Sequence, residues 1–296
     1  MTDGEGPTSA AHPAFASVAA VRSALAERRY IADEGLSRAL FLAVRMGRPI
    51  LLEGAAGVGK TQIAKTLTEV LDVPLVRLQC YEGIDAAQAL YEWDYPRQLL
   101  ALRLGNQEAG RTAELENVYS QEFLLERPLL SALRMRPAPV LLIDELDRAD
   151  EEFEAFLLET LSEFAVSIPE LGEVRAASPP VVVITSNRTR ELHDALKRRC
   201  YYHWIDYPSI ERETEIIELR VPDVGHRLAR SVAETVSRIR GLGLTKLPGA
   251  AEAIDWAHAL SLLNADDAEG DEAVGSLGAV VKSPEDLPLV ADWLSR

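Results

Sequence analysis

A short apolar run that ends in a glycine-rich loop is the first segment whose residue types could do chemistry. The stretch from Ile50 to Leu67 reads ILLEGAAGVGKTQIAKTL, and it meets the pattern G-x-x-x-x-G-K-[ST] at Gly54, Gly59, Lys60 and Thr61. Loops of this kind present backbone N–H groups to phosphates, and the following helix adds its positive dipole end. The pattern therefore predicts a site for a nucleoside triphosphate.

The residues of this loop have separate predicted roles. Lys60 would reach the β- and γ-phosphates, and Thr61 would hold Mg²⁺. The competing interpretation is a glycine-rich turn that matches the pattern by chance, but an apolar strand precedes the loop and a helical pattern follows it. We therefore expect nine consecutive residues to contact ATP: Gly54, Ala55, Ala56, Gly57, Val58, Gly59, Lys60, Thr61 and Gln62.

A second motif, PVLLIDELDRAD, is an apolar strand that ends in two adjacent carboxylates, Asp144 and Glu145. Asp144 at the strand tip suits a Mg²⁺ ligand, often through water, whereas Glu145 can polarise an attacking water. The alternative is a solvated acidic turn, since the segment is rich in charge. Because a strand leads into the pair, the motif favours a hydrolase.

A third strand pattern, PPVVVITSN, ends in Asn187, and two arginines follow at Arg198 and Arg199. Asn187 could orient the water if its strand lies beside the Asp144 strand, although an asparagine past a strand is often a turn residue. The arginines could reach a neighbouring subunit's site as an arginine finger. They could equally be a basic helix end favoured by the dipole.

The elements that must position these residues predict an α/β fold, a parallel sheet covered by helices, followed by a small all-helical domain. Helices are expected over Ala14 to Arg28 and over Asp33 to Met46, with Asp33 as the cap, and a solvated loop over Asp266 to Glu272. Five buried strands are expected: Pro49 to Glu53, Leu75 to Gln79, Pro139 to Ile143, Val181 to Thr185 and Tyr201 to Ile205. The predicted divisions are a loose tail over 1–13, the nucleotide-binding domain over 14–208 and a helical lid over 209–296.

Composition narrows the function classes. The sequence has 31 lysines and arginines against 47 aspartates and glutamates, a net charge of −16, which argues against nucleic acid as a partner. Cys80 and Cys200 have no CxxC spacing, and the N-terminus lacks an export signal. No apolar run approaches the roughly 20 residues of a membrane span. We therefore expect a cytoplasmic protein.

The chain resembles the AAA+ ATPases in the order of its motifs, which are the phosphate loop, LLIDE, ITSN, LKRRC and then a helical lid. Five segments resemble the MoxR group, and in particular the CoxD-like ATPases of carbon monoxide dehydrogenase maturation. They are RPILLEGAAGVGKTQIAKTL, LVRLQCYEGIDAAQALYEWDYPRQLLALR, EFLLERPLLSAL, RRCYYHWIDYP and, in the lid, LPGAAEAIDWAHAL. The resemblance implies ATP and Mg²⁺ at Lys60 and Thr61, acidic roles for Asp144 and Glu145, a sensor at Asn187, and Arg199 with Arg198 as the finger of a hexameric ring.

The resemblance also implies a chaperone-like ATPase that matures a metallo-oxidoreductase client with a von Willebrand factor A domain partner. One departure is that PGAAEAIDW offers no lid sensor arginine. The segments Tyr91 to Leu102 and Ser167 to Ser178 either contact the client or pack as ordinary structure. Two rival classes stay open: a nucleic-acid motor, which would need a basic channel, and a nucleotide-gated scaffold with little turnover.

Overall fold

A five-stranded parallel sheet organises the N-terminal part of the chain in the computed structural model, which describes residues 9–105 and 119–295. The sheet has the strand order β2-β5-β8-β1-β9, and β3 with β4 and β6 with β7 form two antiparallel pairs. The strands are β1 (Ile50–Gly54), β2 (Leu75–Gln79), β3 (Tyr91–Trp93), β4 (Leu124–Glu126), β5 (Val140–Asp144), β6 (Ala165–Ile168), β7 (Gly172–Arg175), β8 (Val181–Ser186) and β9 (Tyr201–Ile205).

All five predicted strands are present, and the α/β fold with C-terminal helices is confirmed. The bounds of β2 and β9 are as predicted, while β1 and β5 begin and end one residue later and β8 is one residue longer. The central β5 and β8 lie side by side, with Ile143 opposite Ile184. Because parallel strands end at the same edge of a sheet, the polar residues that follow β5 and β8 lie together.

Helices cover both faces of this sheet, as a parallel sheet requires. Alternating side chains divide each strand between two cores: Ile50 and Leu52 face one core, and Leu51 faces the other. The helices are α1 (Val18–Glu27), α2 (Glu34–Arg45), α3 (Lys60–Leu71), α4 (Ala86–Leu90), α5 (Tyr95–Gly105), α6 (Pro128–Arg134), α7 (Glu151–Glu163), α8 (Asp194–Arg199), α9 (Ile210–Arg220), α10 (His226–Arg240), α11 (Ala250–Leu262), α12 (Gly270–Gly275) and α13 (Asp286–Leu294).

The N-terminal helices differ in one respect from the prediction. The stretch expected as a helix from Ala14 is a 3₁₀ turn at Pro13–Phe15, and α1 begins only after Ser17, whose hydroxyl accepts from the Ala20 N–H at 3.0 Å. A serine that caps the helix there ends the preceding turn. The predicted cap Asp33 is confirmed by its 2.7 Å bond from the Leu36 N–H. The predicted tail lies outside the described residues up to residue 8.

The helices after β9 enclose a separate core around the fully buried Trp256. Arg240 of α10 pairs with the buried Glu213 of α9 at 2.6 Å. It also lies over the ring of Tyr207 at 4.5 Å and so joins these helices to the sheet region, since Tyr207 packs against the sheet core. The loop predicted over Asp266 to Glu272 is partly wrong, because Ala268 is buried against α10 and α12 begins inside the segment. The division at residue 208 stays a prediction.

Within the described ranges, no helix is both long and apolar enough to cross a bilayer.

Candidate active site

The phosphate loop connects β1 to α3 at the carboxyl edge of the sheet. Gly57 and Gly59 have φ values of 77° and 93°, in the left-handed region that favours glycine. Lys60, the first residue of α3, is buried, and its Nζ donates to the main-chain oxygens of Gly54 at 2.7 Å and Ala55 at 2.6 Å. The loop therefore curls back on itself, because the Lys60 side chain at its end hydrogen-bonds the backbone at its start.

Burial lowers the pKa of Lys60 to about 8, although acidic groups nearby, Asp147 first among them, act in the opposite direction. Its ammonium group donates hydrogen bonds to neutral carbonyl oxygens rather than to a carboxylate. A desolvated cation beside a helix N-terminus fits a polyanion such as the phosphates of ATP. The loop thus fits the predicted ligand.

Asp144 at the end of β5 is almost completely buried and has fixed partners on both carboxylate oxygens. Its Oδ1 accepts from Thr61 Oγ1 at 3.0 Å and from Thr185 Oγ1 at 2.6 Å. Its Oδ2 accepts from Arg77, whose Nε and Nη2 lie at 3.1 and 2.6 Å. Thr61 and Asp144 are therefore adjacent, as a shared Mg²⁺ site requires, and their hard oxygen donors suit that ion.

Glu145 continues from Asp144 in a left-handed conformation with φ of 55°, unusual for a residue other than glycine. Its N–H donates to Thr185 Oγ1 at 2.9 Å, which holds this conformation. The strained backbone turns consecutive carboxylates in different directions, so that one can face the metal ligands and the other a water. Strain of this kind clusters at functional sites.

Three groups surround the Glu145 carboxylate. Gln79 Nε2 lies 3.2 Å from Oε2, Arg148 Nε lies 3.3 Å from the same oxygen, and Asn187 Nδ2 lies 3.5 Å from Oε1, at the outer limit of a hydrogen bond. The structure thus brings together the predicted Lys60–Thr61 pair, both acids and Asn187 at one edge of the sheet.

Asp147 is a site residue that the sequence reasoning missed. Its buried carboxylate accepts from the backbone N–H of Asn187 at 3.1 Å, and from the N–H and hydroxyl of Thr189 at 2.9 and 2.6 Å. Burial raises the pKa of Asp147, but these hydrogen bonds outweigh it and hold the pKa below its usual range. Its place three residues after Asp144, in DELD, was the available signal.

A cavity of about 320 Å³ opens beside the loop, between the sheet region and the helices after β9. Residues of both regions line it, and several large apolar or aromatic ones are suited to a nucleotide base: Tyr30, Ile31, Val58, Ile216, Leu219 and Ile254. None of these except Val58 was predicted, because their positions are scattered along the chain.

The start of α11 contacts the phosphate loop at the place where a lid arginine was missing from the sequence. The Ala251 N–H donates to the Gly57 carbonyl at 3.3 Å, and the Glu252 carboxylate accepts from the Gly249 N–H at 2.9 Å. A Cβ added to Gly249 would lie 2.7 Å from the Gly57 Cα. Small residues here therefore allow backbone to pack directly on backbone.

Arg198 and Arg199 lie at the exposed end of α8. Arg199 Nη1 donates to the Leu158 carbonyl of α7 at 3.1 Å. Since two basic residues at a helix C-terminus also suit the helix dipole, both earlier interpretations stay open.

The two segments considered for client contact are arranged differently from each other. The segment from Tyr91 forms β3 and then α5: Trp93 is buried in the core, whereas Tyr95 is 57% exposed. The second segment covers most of the β6–β7 hairpin, which begins two residues before the predicted Ser167. Packing thus accounts for Trp93 but not for Tyr95.

Cys80 and Cys200 are buried thiols whose pKa burial raises to about 12. Among the residues that the structure describes, no group of three or more histidine, cysteine, aspartate or glutamate side chains is arranged to hold a metal ion.

Comparisons with known proteins give a family for part of the chain and relatives of low identity. Residues 49–200 match the family model described as AAA domain, dynein-related subfamily. An uncharacterized protein of Staphylococcus aureus (strain bovine RF122 / ET3-1) is 29% identical over 169 residues, 55% of this chain and 57% of that protein. One from Staphylococcus saprophyticus is 28% identical over 171 residues, with the same coverage. The match thus spans little more than half the length of these curated relatives.

A search of solved structures finds the Thermotoga maritima RuvB Holliday junction branch migration motor, which is 16% identical to this chain. The superposition covers 87% of this chain and 68% of that chain with a TM-score of 0.46.

Proposed function

The chain belongs to the AAA domain family, in its dynein-related subfamily, a family of ATPases that use Mg²⁺, and we propose that it couples ATP hydrolysis to the remodelling of a client protein. One observation carries the ATPase part of the proposal. The phosphate loop, the Asp144–Glu145 pair and Asn187 lie at the same carboxyl edge of a parallel sheet, where open α/β folds bind their ligands.

In this proposal each group has one task. Lys60 and the N–H groups of the loop bind the phosphates, while Thr61 and Asp144 hold Mg²⁺, which neutralises phosphate charge when bound. Glu145 accepts a proton from the attacking water, and the Asn187 amide orients that water beside it. The 3.5 Å separation of Asn187 Nδ2 from Glu145 Oε1 leaves both groups able to contact one water.

Members of the family typically assemble into rings, and we infer a hexamer with sites at subunit boundaries. The exposed position of Arg198 and Arg199 at the end of α8 supports a role in trans, because a guanidinium at a domain edge can reach a neighbour's phosphates. We assign the finger to Arg199 with Arg198 beside it.

The client part of the proposal rests on the resemblance to MoxR and CoxD-like ATPases. It makes the client a metallo-oxidoreductase of the carbon monoxide dehydrogenase type, and the partner a von Willebrand factor A domain protein. The exposed side of α5 supports a contact role, since Leu99 and Leu100 are 59% and 57% exposed and Leu99 lies one turn from the exposed Tyr95. Exposed apolar groups so close together favour protein contact.

The Glu145→Gln variant tests this function, because it removes the water-polarising carboxylate and should retain bound ATP. Tagged protein is incubated with native lysate and Mg²⁺–ATP, and what co-purifies is identified by mass spectrometry. The matched control is the Lys60→Ala, Glu145→Gln double variant, which should not bind ATP. ATP-dependent capture of a von Willebrand factor A domain protein or a metallo-oxidoreductase subunit supports the proposal.

Other outcomes would favour the rival functions. ATP-dependent recovery of nucleic acid, with salt-sensitive binding of single-stranded DNA by the wild type, would favour a motor. Steady-state hydrolysis near zero in the wild type, or cellular function retained by Glu145→Gln, would favour a scaffold gated by nucleotide.

A further inference from the structure

A carboxylate of α7 is completely buried where this helix packs against α8. Glu154 is 0% exposed, and Phe153 and Leu157 on the same helix belong to the apolar core. Burying a charge costs free energy, and apolar residues of similar volume often replace a buried ion pair without loss of stability. What the Glu154 carboxylate holds in place therefore explains its position better than stability does.

Both oxygens of this carboxylate have a partner in the segment between β8 and α8. Oε2 accepts from the backbone N–H of His193 at 2.8 Å, and His193 is the residue that caps α8. Oε1 forms an ion pair with Nη2 of Arg190. Glu154 thus fixes the start of α8 to α7.

Arg190 extends this contact to the turn after β5. Its Nε donates to the Ala149 carbonyl at 2.9 Å, and its Nη2 also donates to that oxygen. Ala149 ends the turn that carries Asp147, which holds the backbone of Asn187. The segment from Asn187 to His193 is therefore attached both to the turn beside the candidate site and to α7.

The helix α8 runs from this segment to the exposed arginines Arg198 and Arg199. It has six residues and spans only about 9 Å, so a change of direction at its start moves the arginines at its end. Arg199 Nη1 also bonds the Leu158 carbonyl of α7, but a finger that reaches a neighbouring subunit must release or share that bond. The attachment through Glu154 uses neither arginine.

We propose that the Glu154–Arg190 pair sets the position of α8, so that these two residues of one subunit control hydrolysis at the site of the next copy of the chain. The inference rests on the proposed function, because it takes the end of α8 as the arginine finger. Glu154 and Arg190 are positioning residues, since they act through the finger and not on the phosphates themselves.

The first test separates turnover from nucleotide binding. Glu154→Gln keeps an acceptor oxygen for the His193 N–H but removes the charge that pairs with Arg190. We expect kcat to fall on the order of 100-fold, the usual effect of a misplacement of about 1 Å, while KM for ATP stays within ~2-fold because the variant's own phosphate loop is unchanged. The matched control is Glu159→Gln at an exposed position of α7, which should keep the wild-type constants. A wild-type kcat in Glu154→Gln would overturn the proposal.

Mixed rings show whether the effect lies in the neighbouring subunit. Lys60→Ala protein lacks a nucleotide site but presents an intact α8, whereas Glu154→Gln protein has an intact site and a displaced α8. Hydrolysis in the mixture should therefore exceed the sum of the separate proteins, with mixed assembly verified by isolating complexes that carry two affinity tags. Glu145→Gln mixed with Lys60→Ala should show no gain, because Glu145 acts in the site of its own subunit. Verified mixed complexes of Glu154→Gln with no gain would overturn the proposal, since a merely structural defect stays in its own subunit.

Arg190→Lys retains the test if thermal unfolding shows that Glu154→Gln does not fold. Lysine keeps a positive charge opposite the buried Glu154 but lacks the planar fork that bonds the Ala149 carbonyl and Glu154 together. Its kcat should fall, and mixing with Lys60→Ala should restore hydrolysis. A wild-type kcat, or a loss that the mixture does not restore, would overturn the role of Arg190.

The arginine variants distinguish failure of this inference from failure of the proposed function. No ATP hydrolysis by the wild type, or full activity in both Arg198→Ala and Arg199→Ala, would contradict the proposed function and the inference with it. A gain when either arginine variant is mixed with Lys60→Ala, without a gain for Glu154→Gln, would remove the inference alone.

Discussion

The buried carboxylate of Asp147 holds the backbone of Asn187, since it accepts a hydrogen bond from the Asn187 N–H at 3.1 Å. The same carboxylate accepts two hydrogen bonds from Thr189, so the turn after β8 is fixed to the turn after β5. The position of the Asn187 amide relative to Glu145 is therefore set by a third acid, which lies outside the reacting groups.

Asp147→Ala should lower turnover more than nucleotide affinity. The substitution leaves the N–H groups of Asn187 and Thr189 without their partner, so the amide of Asn187 loses its fixed position beside Glu145. We expect kcat to fall by on the order of 100-fold, the usual contribution of one well-placed group in proton transfer, with nucleotide affinity changed less than ~3-fold. Steady-state hydrolysis and a nucleotide titration measure the two effects.

Asp147→Asn is the matched control, because it keeps the shape and one acceptor oxygen. It should lie between the wild type and Asp147→Ala in kcat. An equal loss of affinity and turnover in Asp147→Ala would instead indicate that the phosphate loop itself is disturbed.

Lys60 makes nucleotide affinity depend on pH. The pKa of Lys60 is lowered to about 8 by burial, and bound phosphates would raise it, so binding above that pH requires uptake of a proton. Affinity for ATP should be constant below about pH 7 and fall by up to about tenfold per pH unit above 8. Lys60→Ala should abolish binding. Calorimetric titration across this range measures both.

The control for this pH dependence is Lys60→Arg, whose guanidinium stays protonated throughout the range. Any residual affinity of Lys60→Arg should not vary with pH above 8. Wild-type affinity that is constant from about pH 7 to 9.5 would contradict a lysine contact with the phosphates.

Much of this arrangement could be predicted from the sequence, since motifs are contiguous. The strands and the loop were found because apolar runs lead into Gly54, Asp144 and Asn187. The sequence left open whether the Asn187 strand lies beside the Asp144 strand, and the structure places β8 next to β5. Arg77 and Asp147 could not be found this way. Their roles depend on which strand lies beside β5 and on which backbone groups a carboxylate reaches. Neither of these properties leaves a periodic pattern in the sequence.

The cavity beside the loop shows the same limit. Tyr30 and Ile254 line it together although they are far apart in sequence, and only the packing of the last helices against the loop brings them close. The missing lid arginine was visible in the sequence, but the direct contact of Gly249 with Gly57 was not.

Gly57→Ala should destabilise the protein and weaken nucleotide binding. At φ of 77° an added Cβ carries left-handed strain, and it would also lie 2.8 Å from Glu252 Oε2 and 3.1 Å from the Gly249 Cα. We expect a loss of about 1–2 kcal/mol in the free energy of unfolding from strain, and a further loss from the contact with α11. Denaturant unfolding measures the sum.

Gly172→Ala is the matched control for Gly57→Ala. Gly172 has φ of 80°, but an added Cβ there meets nothing within 4 Å, so only the strain remains. Nucleotide affinity should be unchanged in this control. Equal destabilisation in the two variants would mean that the contact between α11 and the loop contributes nothing.

Mixing two inactive variants tests whether Arg199 acts across a subunit boundary. Arg199→Ala protein keeps an intact phosphate loop, and Lys60→Ala protein keeps an intact Arg199, so a mixed ring contains some sites that have both groups. Hydrolysis in the mixture should exceed the sum of the separate proteins, because each repaired site regains the charge stabilisation that an arginine finger supplies. Mixed assembly is verified by isolating complexes that carry both affinity tags.

Replacing Arg199→Ala by Arg198→Ala in the same mixture identifies the finger, since only loss of the finger leaves an otherwise intact site inactive and open to rescue. If hydrolysis in verified mixed rings shows no gain for either arginine, neither is a finger. Their position at the end of α8 would then be explained by the helix dipole alone.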